Sequence, residues 1–192
     1  MVRHREFDTE EVLDKAIELF GKKGYSKTSI QDLVDYLGIG RGSLYNAFEN
    51  KHAIFLAALD RYANRRIASH LRALTEDSPR KSFRKMFRNY IDDILDDTDN
   101  KGCLLMATAE LGTSDPEVAK RIEWVHGQMD DCFTDALRAA KQKGELAKNS
   151  DPRALALFFH NTMRGLRVTA AKSNVKREEL EAVVNTALKL LE

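Results

Sequence analysis

The sequence predicts an all-α protein, and three observations carry that reading. Ten glycines and three prolines in 192 residues are about half the share usual in globular chains. No stretch alternates apolar and polar residues in the rhythm of a strand, and apolar residues recur at the three- and four-residue spacings of a helix along most of the chain. The 31 basic and 30 acidic side chains leave a net charge of +1, which excludes a disordered polyelectrolyte and a histone-like basic protein. Any nucleic-acid binding must come from a local patch. Two cysteines are too few for a disulfide framework and read as free thiols of a reducing compartment. No apolar run approaches bilayer length, and the polar start MVRHREFDTEE lacks a signal peptide's apolar segment, so a soluble cytoplasmic protein with no membrane partner is expected.

After a short basic arm carrying Arg3, His4 and Arg5, residues 9–23 place Val12, Leu13, Ala16, Ile17 and Phe20 on one stripe, with Asp8 and Glu11 as a capping box and Gly24 as the stop. A second helix opens at Thr28, with Gln31 three residues on, and turns Ile30, Leu33, Val34 and Leu37 inward. Gly38-Ile39-Gly40 makes a sharp turn that calls for a residue able to take positive φ. The third helix, from about Arg41 to Phe48, buries Leu44 and Phe48 and leaves Arg41, Ser43, Tyr45 and Asn46 outside. Asn50 caps a fourth helix beginning at Lys51. The polar stretch Thr75 to Pro79 marks a boundary: residues 1–50 form one domain, the helix over 51–73 connects, and residues 75–192 form the second. Punctuation by Asp, Asn, Gly, Pro and Ser then delimits helices over about 80–97, 103–112, 115–143, 151–172 and 176–191.

Two helices joined by a tight glycine-containing turn, the second short and polar on its outer side, are what a DNA-reading helix-turn-helix requires. Thr28 and Ser29 stand where a helix N-terminus holds a phosphate, and Lys51 does so at the start of the fourth helix. Gly42 and Ser43, with Gly40, are small enough for close approach to DNA. Arg41, able to fork onto guanine, and Asn46 are placed to read bases, with Tyr45 beside them. Lys22, Lys23, Lys27, Arg41 and Lys51 outweigh Asp32, Asp35 and Glu49 by a modest surplus.

The string Thr28-Ser29-Ile30 to Leu33, then GIGRGSLYNAFENKHAIF from Gly38 to Phe55, with the first helix ending Phe20-Gly21-Lys22-Lys23-Gly24-Tyr25, resembles the DNA-binding region of the TetR family of bacterial transcriptional repressors. One departure is Ala47, where many relatives carry a histidine just before the phenylalanine of the third helix. The resemblance implies a ligand-responsive repressor on a double-stranded DNA operator.

A single short reading helix contacts too few bases, so such modules work as dimers on half-sites about 34 Å apart, and a dimerisation surface is expected in the chain. The last helix offers Leu180, Val183, Val184, Ala187, Leu188 and Leu191; the one before it offers Leu155, Phe158, Phe159, Thr162, Met163 and Leu166. A helix apolar around more than half its circumference must bury two faces, one in its own bundle and one against a partner. Phe158, Thr162, Leu166, Leu180, Val183, Val184, Ala187 and Leu188 are therefore the predicted homodimer interface, the arrangement the TetR resemblance also implies.

Trp124, Met106, Phe133, Phe159 and Met163 are candidates to line an apolar cavity for a small apolar or weakly polar effector; the resemblance favours the cavity itself, and plain core packing is the alternative for each residue. Cys103 joins them: it opens a helix beside Lys101, where the helix dipole favours a thiolate, and its Gly-Cys-Leu-Leu setting is similar to that of TetR-family thiol sensors, although an asparagine frequent there is Ala107 here. His126 and His160 have no neighbour at ligand spacing and read as satisfied polar residues; no metal or cofactor is expected. Arg80, Lys81, Arg84, Lys85 and Arg88, followed by Asp92, Asp93, Asp96, Asp97 and Asp99, set charge against the helix dipole, as a solvated face or an electrostatic contact. Without a phosphate loop, a triad or paired carboxylates in an apolar segment, an enzyme is not expected. A small helical enzyme with an apolar pocket and a protein-interaction module are the rival readings.

Overall fold

A computed structural model describes residues 7–95, 104–108, 111–170 and 174–192; the basic arm Arg3 to Arg5, Cys103 and the charges at Asp96, Asp97 and Asp99 lie outside the described residues, as do the side chains of Met106 and Ala107. The fold is all-α, with no strand among the described residues. The helices are α1 (Thr9–Lys23), α2 (Ile30–Leu37), α3 (Arg41–Ala47), α4 (Lys51–Ala73), α5 (Pro79–Leu95), α6 (Leu104–Ala107), α7 (Pro116–Gln142), α8 (Pro152–Ala170) and α9 (Arg177–Ala187). Tighter 3₁₀ turns cover Leu111–Thr113 and Leu188–Leu191.

Local chemistry accounts for most boundaries. Each of the three prolines takes the first position of its helix, where the missing N–H has no intrahelical use. Each follows a capping side chain: Ser78 Oγ accepts from Lys81 N at 3.3 Å, Asp115 Oδ1 from Glu117 N and Val118 N at 3.0 and 3.2 Å, and Asp151 Oδ1 from Arg153 N at 2.9 Å. Asn50 Oδ1 accepts from Ala53 N at 2.9 Å, as expected for a cap of α4. At α1, Asp8 caps by accepting from Glu10 N, while Glu11 pairs one turn on with Lys15 at 2.8 Å and so does not complete a capping box. The helix expected over 103–112 is instead the single turn α6 and a 3₁₀ turn, and the last expected helix tightens into 3₁₀ geometry after Ala187.

The chain divides into two compact units, one of Met1–Arg65 and Asp99–Trp124, the other of Arg66–Thr98 and Val125–Glu192, with α4 and α7 each contributing to both. In the first unit, Val12, Ala16, Phe20, Leu33, Leu37, Leu44, Phe55 and Leu59 close a core in which Phe20 meets Phe55 edge-on at 5.1 Å. Asp14 clamps α1 to α4, accepting from Arg61 Nε at 2.7 Å and Nη2 at 3.0 Å and also from Arg65; the Arg61 bonds hold its carboxyl below the usual range.

The second unit is a helical bundle whose centre is aromatic. Phe83 lies 5.3 Å from Phe133 and 4.6 Å from Phe159, all three without solvent exposure. Around them pack Met86, Phe87, Ile91, Leu137, Leu166, Leu180, Val184 and Leu188. Four charges of α5 pair within this unit: Lys85 with Glu76, Arg80 with Glu192, Asp93 with Arg66 and Asp92 with Arg177.

Candidate nucleic-acid interface

The reading head is built from α2, the turn and α3. Gly38 sits in the left-handed region at φ 69° and donates to Val34 O, which ends α2 and reverses the chain. Leu33, Leu37 and Leu44, almost wholly buried, lock α2 and α3 to the core beneath. With those residues inward, the helical period places Arg41, Gly42, Tyr45 and Asn46 on the exposed side of α3, with Ser43 half-buried at its margin. Tyr45 is 46% exposed. No described hydrogen bond or ion pair engages Arg41 or Asn46, so the donors of both and the acceptor of Asn46 are uncommitted.

Gly40 caps α3 without a side-chain bond, and a Cβ placed on Gly40 or Gly42 would meet no protein atom within 4 Å. Packing therefore does not require glycine at either position. Bare backbone there leaves the first N–H groups of α3 open to an approaching surface.

Two expected phosphate residues are placed differently. Thr28 is 1% exposed: its hydroxyl donates to Gly24 O at 2.7 Å, which draws the side chain inward and moves the cap one residue on. Ser29 is the true cap of α2, accepting from Asp32 N at 3.1 Å, while Asp32 Oδ2 accepts from Ser29 N at 2.7 Å. The signal Ser29-Ile30-Gln31-Asp32 is legible in the sequence as a capping box, and Gln31 instead donates to Asp35 at 2.8 Å. Lys23 lies 2.7 Å from Asp32 and, with the Ser29 bonds, holds that carboxyl well below the usual range.

Lys51 serves the head from within. Its ammonium donates to Tyr25 O at 3.0 Å and Thr28 O at 2.9 Å and lies 4.1 Å above the Tyr25 ring, so the start of α4 is stapled to the segment that leads into α2. Partial burial lowers its pKa. His52 Nε2 lies 2.7 Å from Asp115, a second tie at the same end of α4 that spacing in the sequence does not reveal. Lys22 and Lys27, exposed and without a described ion pair, remain with Arg41 as the cations facing outward around the head.

The residues proposed for an effector separate. Phe133, Phe159 and Met163 lie together in the core of the second unit, whereas Trp124 is 46% exposed and belongs to the first. Cys132 is half-buried against that core, and burial pushes its thiol up to about 11, which makes it a poor nucleophile at neutral pH. The predicted dimer residues also divide. Phe158 (45% exposed), Val183 (49%) and the half-buried Thr162 face outward, whereas Leu166, Leu180, Val184, Ala187 and Leu188 are absorbed into the subunit's own core, because α5 packs on the inner sides of α8 and α9.

Residues 12–58 match the family described as bacterial regulatory proteins, tetR family, and residues 79–187 match the tetracyclin repressor-like C-terminal domain. Among relatives, the HTH-type transcriptional regulator YezE of Bacillus subtilis is 34% identical over 100% of both chains. The HTH-type transcriptional repressor ComR of Escherichia coli is 29% identical over 98% of this chain and 90% of its own. A cysteine mutant of the TetR family transcriptional regulator CifR, solved in complex with a 26bp double-strand operator DNA, superimposes with a TM-score of 0.86 at 30% identity, over 99% of this chain and 100% of that one. No described helix is long and apolar enough to cross a membrane. A helix-turn-helix with an uncommitted polar face, joined to a helical C-terminal domain and matched along its whole length by DNA-binding regulators rather than enzymes, places this chain in the TetR family of bacterial transcriptional regulators.

Proposed function

We propose that the protein is a homodimeric cytoplasmic repressor that binds a palindromic or near-palindromic operator and is released by a small, largely apolar effector. The observation that carries this reading is the outer side of α3, where Arg41, Tyr45 and Asn46 stand exposed and uncommitted beside glycines that packing does not demand. Arg41 and Asn46 read base edges in the major groove, and Lys22 and Lys27 set register on phosphates. The exposed N-terminus of α2 at Ser29, where the N–H groups of Ile30 and Gln31 lie outside the capping box, takes a further phosphate. Thr28 and Lys51 act by holding the head in shape rather than by direct contact of their side-chain oxygen or free charge.

A second observation supports the dimer. The outward side of α8 and α9 carries Phe158, Val183, Leu157 (39% exposed) and Val168 (52%), and Leu190 (49%) is exposed in the 3₁₀ turn that follows; a groove of about 370 Å³ is lined by Phe158, Thr162, Ala182, Val183, Thr186 and Ala187. The polar residues of this face turn their hydrogen bonds back onto their own helices: Thr162 donates to Phe158 O at 2.8 Å and Thr186 to Ala182 O at 2.9 Å. The face thus presents methyls and rings, and the exposed Gly165 leaves room for close approach. Such a patch is what an isologous interface buries.

For the effector, Phe133, Phe159 and Met163 supply the apolar wall in the second unit. Effector and DNA prefer different arrangements of the two heads, so each weakens the other's binding by the same factor. Selection of duplexes from a random pool tests the reading. A palindrome is expected to emerge, and Arg41→Ala or Tyr45→Ala is expected to abolish its retention while leaving the dimer intact; retention by these variants at moderate salt would overturn it.

A further inference from the structure

Polar side chains line the seam between α7 and α8 beside the aromatic core of the second unit. His160 is 5% exposed, and its Nδ1 lies 2.6 Å from Asp130 Oδ1. A carboxylate only accepts, so Nδ1 carries the proton of that bond and Nε2 is left without a described partner. The other Asp130 oxygen faces Arg153 at 3.7 Å, so this carboxylate is engaged on both sides. The His126 ring lies 5.3 Å from that of His160, and His126 Nδ1 is shut off from solvent with no hydrogen-bond partner. Such orphans are rare in native interiors, and this nitrogen is free to pair with a ligand group. One turn beyond His160, Arg164 is exposed with no described ion pair; burial, and then the Arg164 charge, lower the pKa of His126.

The seam therefore runs from a buried imidazole through a half-buried one to an exposed guanidinium. Phe133 stands edge-on to His160 at 6.1 Å, so the polar row adjoins the apolar wall already assigned to the effector. We propose that His126, His160 and Arg164 form an anion subsite that anchors the carboxylate of a small monocarboxylic acid whose apolar body lies against Phe133. This rests on reading the second unit as the effector-binding one, and it narrows the effector class from weakly polar molecules to amphiphilic acids. The carboxylate accepts from His126 and Arg164, with the His160 ring beside it.

The test uses the full chain labelled at its histidines, with imidazole Cε1–H signals assigned through single substitutions. Phenylacetate, hexanoate and octanoate are titrated to about 10 mM, each alongside its primary amide. At least one acid is expected to shift the His126 and His160 signals saturably, leaving His52 in place, and to bind about tenfold more tightly than its amide. Arg164→Gln changes an exposed side chain and leaves the fold intact; it is expected to weaken the acid about tenfold, and His126→Asn to remove the response. Acids that move neither signal, amides that bind equally, or an Arg164→Gln variant that binds as the parent does would each overturn the proposal. Displacement of a labelled operator duplex separates the two readings: saturation of the His126 signal without release of DNA upholds the anchor and removes effector-driven release. Equal release from parent and Arg164→Gln removes the anchor.

Discussion

Phe158 offers the sharpest test of the dimer. A phenylalanine side chain covers about 200 Å², so the 45% of it that the subunit leaves exposed is about 90 Å². At about 25 cal/mol per Å², covering that area contributes about 2 kcal/mol for each copy, and twofold symmetry counts it twice. Phe158→Ala should therefore weaken association by about 4 kcal/mol, close to a thousandfold in the dimer dissociation constant. The covered part of the ring contributes to the subunit's own stability, so the melting temperature also falls, and a melting curve alone does not identify the interface. Sedimentation velocity across a wide concentration range reads the association constant directly. Circular dichroism at high concentration reports whether the helices persist. The parent should sediment as a dimer and the variant should dissociate at concentrations where the parent does not. A parent that stays monomeric throughout, or a variant with an unchanged constant, would refute the reasoning.

Further outcomes follow from the head and the core. Lys27→Gln should weaken operator and non-specific duplex alike and lower the slope of log affinity against log salt by about 2, since a dimer loses two phosphate contacts; an unchanged slope would place Lys27 away from the DNA. Gly42→Ala, with open space for the new methyl, should leave the fold equal or up to about 0.5 kcal/mol more stable while operator affinity drops, a combination that a purely structural glycine would not give. Lys51→Met should leave the part-buried Thr28 carbonyl unsatisfied and Tyr25 O with only its bond from Thr28 N, and destabilise the protein by about 1–3 kcal/mol by urea denaturation, whereas a contact to DNA alone would cost affinity and not stability. Burial, with Arg66 and His160 nearby, pushes the His70 imidazole down to about 3, while the unfolded chain protonates near 6.5. The unfolded state then binds the extra proton below about pH 6.5, so stability falls as the solution is acidified and His70 contributes a loss of about 2 kcal/mol between pH 7 and 5. Urea curves at both pH values should show a smaller loss in His70→Asn, and an identical loss would assign the proton elsewhere.

The all-α class, the order of the helices and most of their ends were legible in the amino-acid sequence, because each depends on groups within one helical turn. Apolar spacing sets the buried stripe, Asp115-Pro116 and Asp151-Pro152 start helices from adjacent residues, and Gly38 ends α2 through its own φ. The outward polar side of α3 followed from the same short-range period once Leu44 was recognised as its anchor. Tertiary structure alone decided how apolar faces and charges were shared out. Val183 and Val184 are neighbours on one stripe, yet one is about half exposed and the other is buried, since α5 packs against only one side of that stripe. Thr28 left the helix cap for Gly24 O, Lys51 turned from the surface to two backbone carbonyls, and His160 met an aspartate 30 positions away. Periodicity states which residues must leave water, but the choice between the subunit's own core and a partner, or between solvent and a buried acceptor, depends on what other segments bring to the same place, and helix packing rather than local backbone preference sets that geometry.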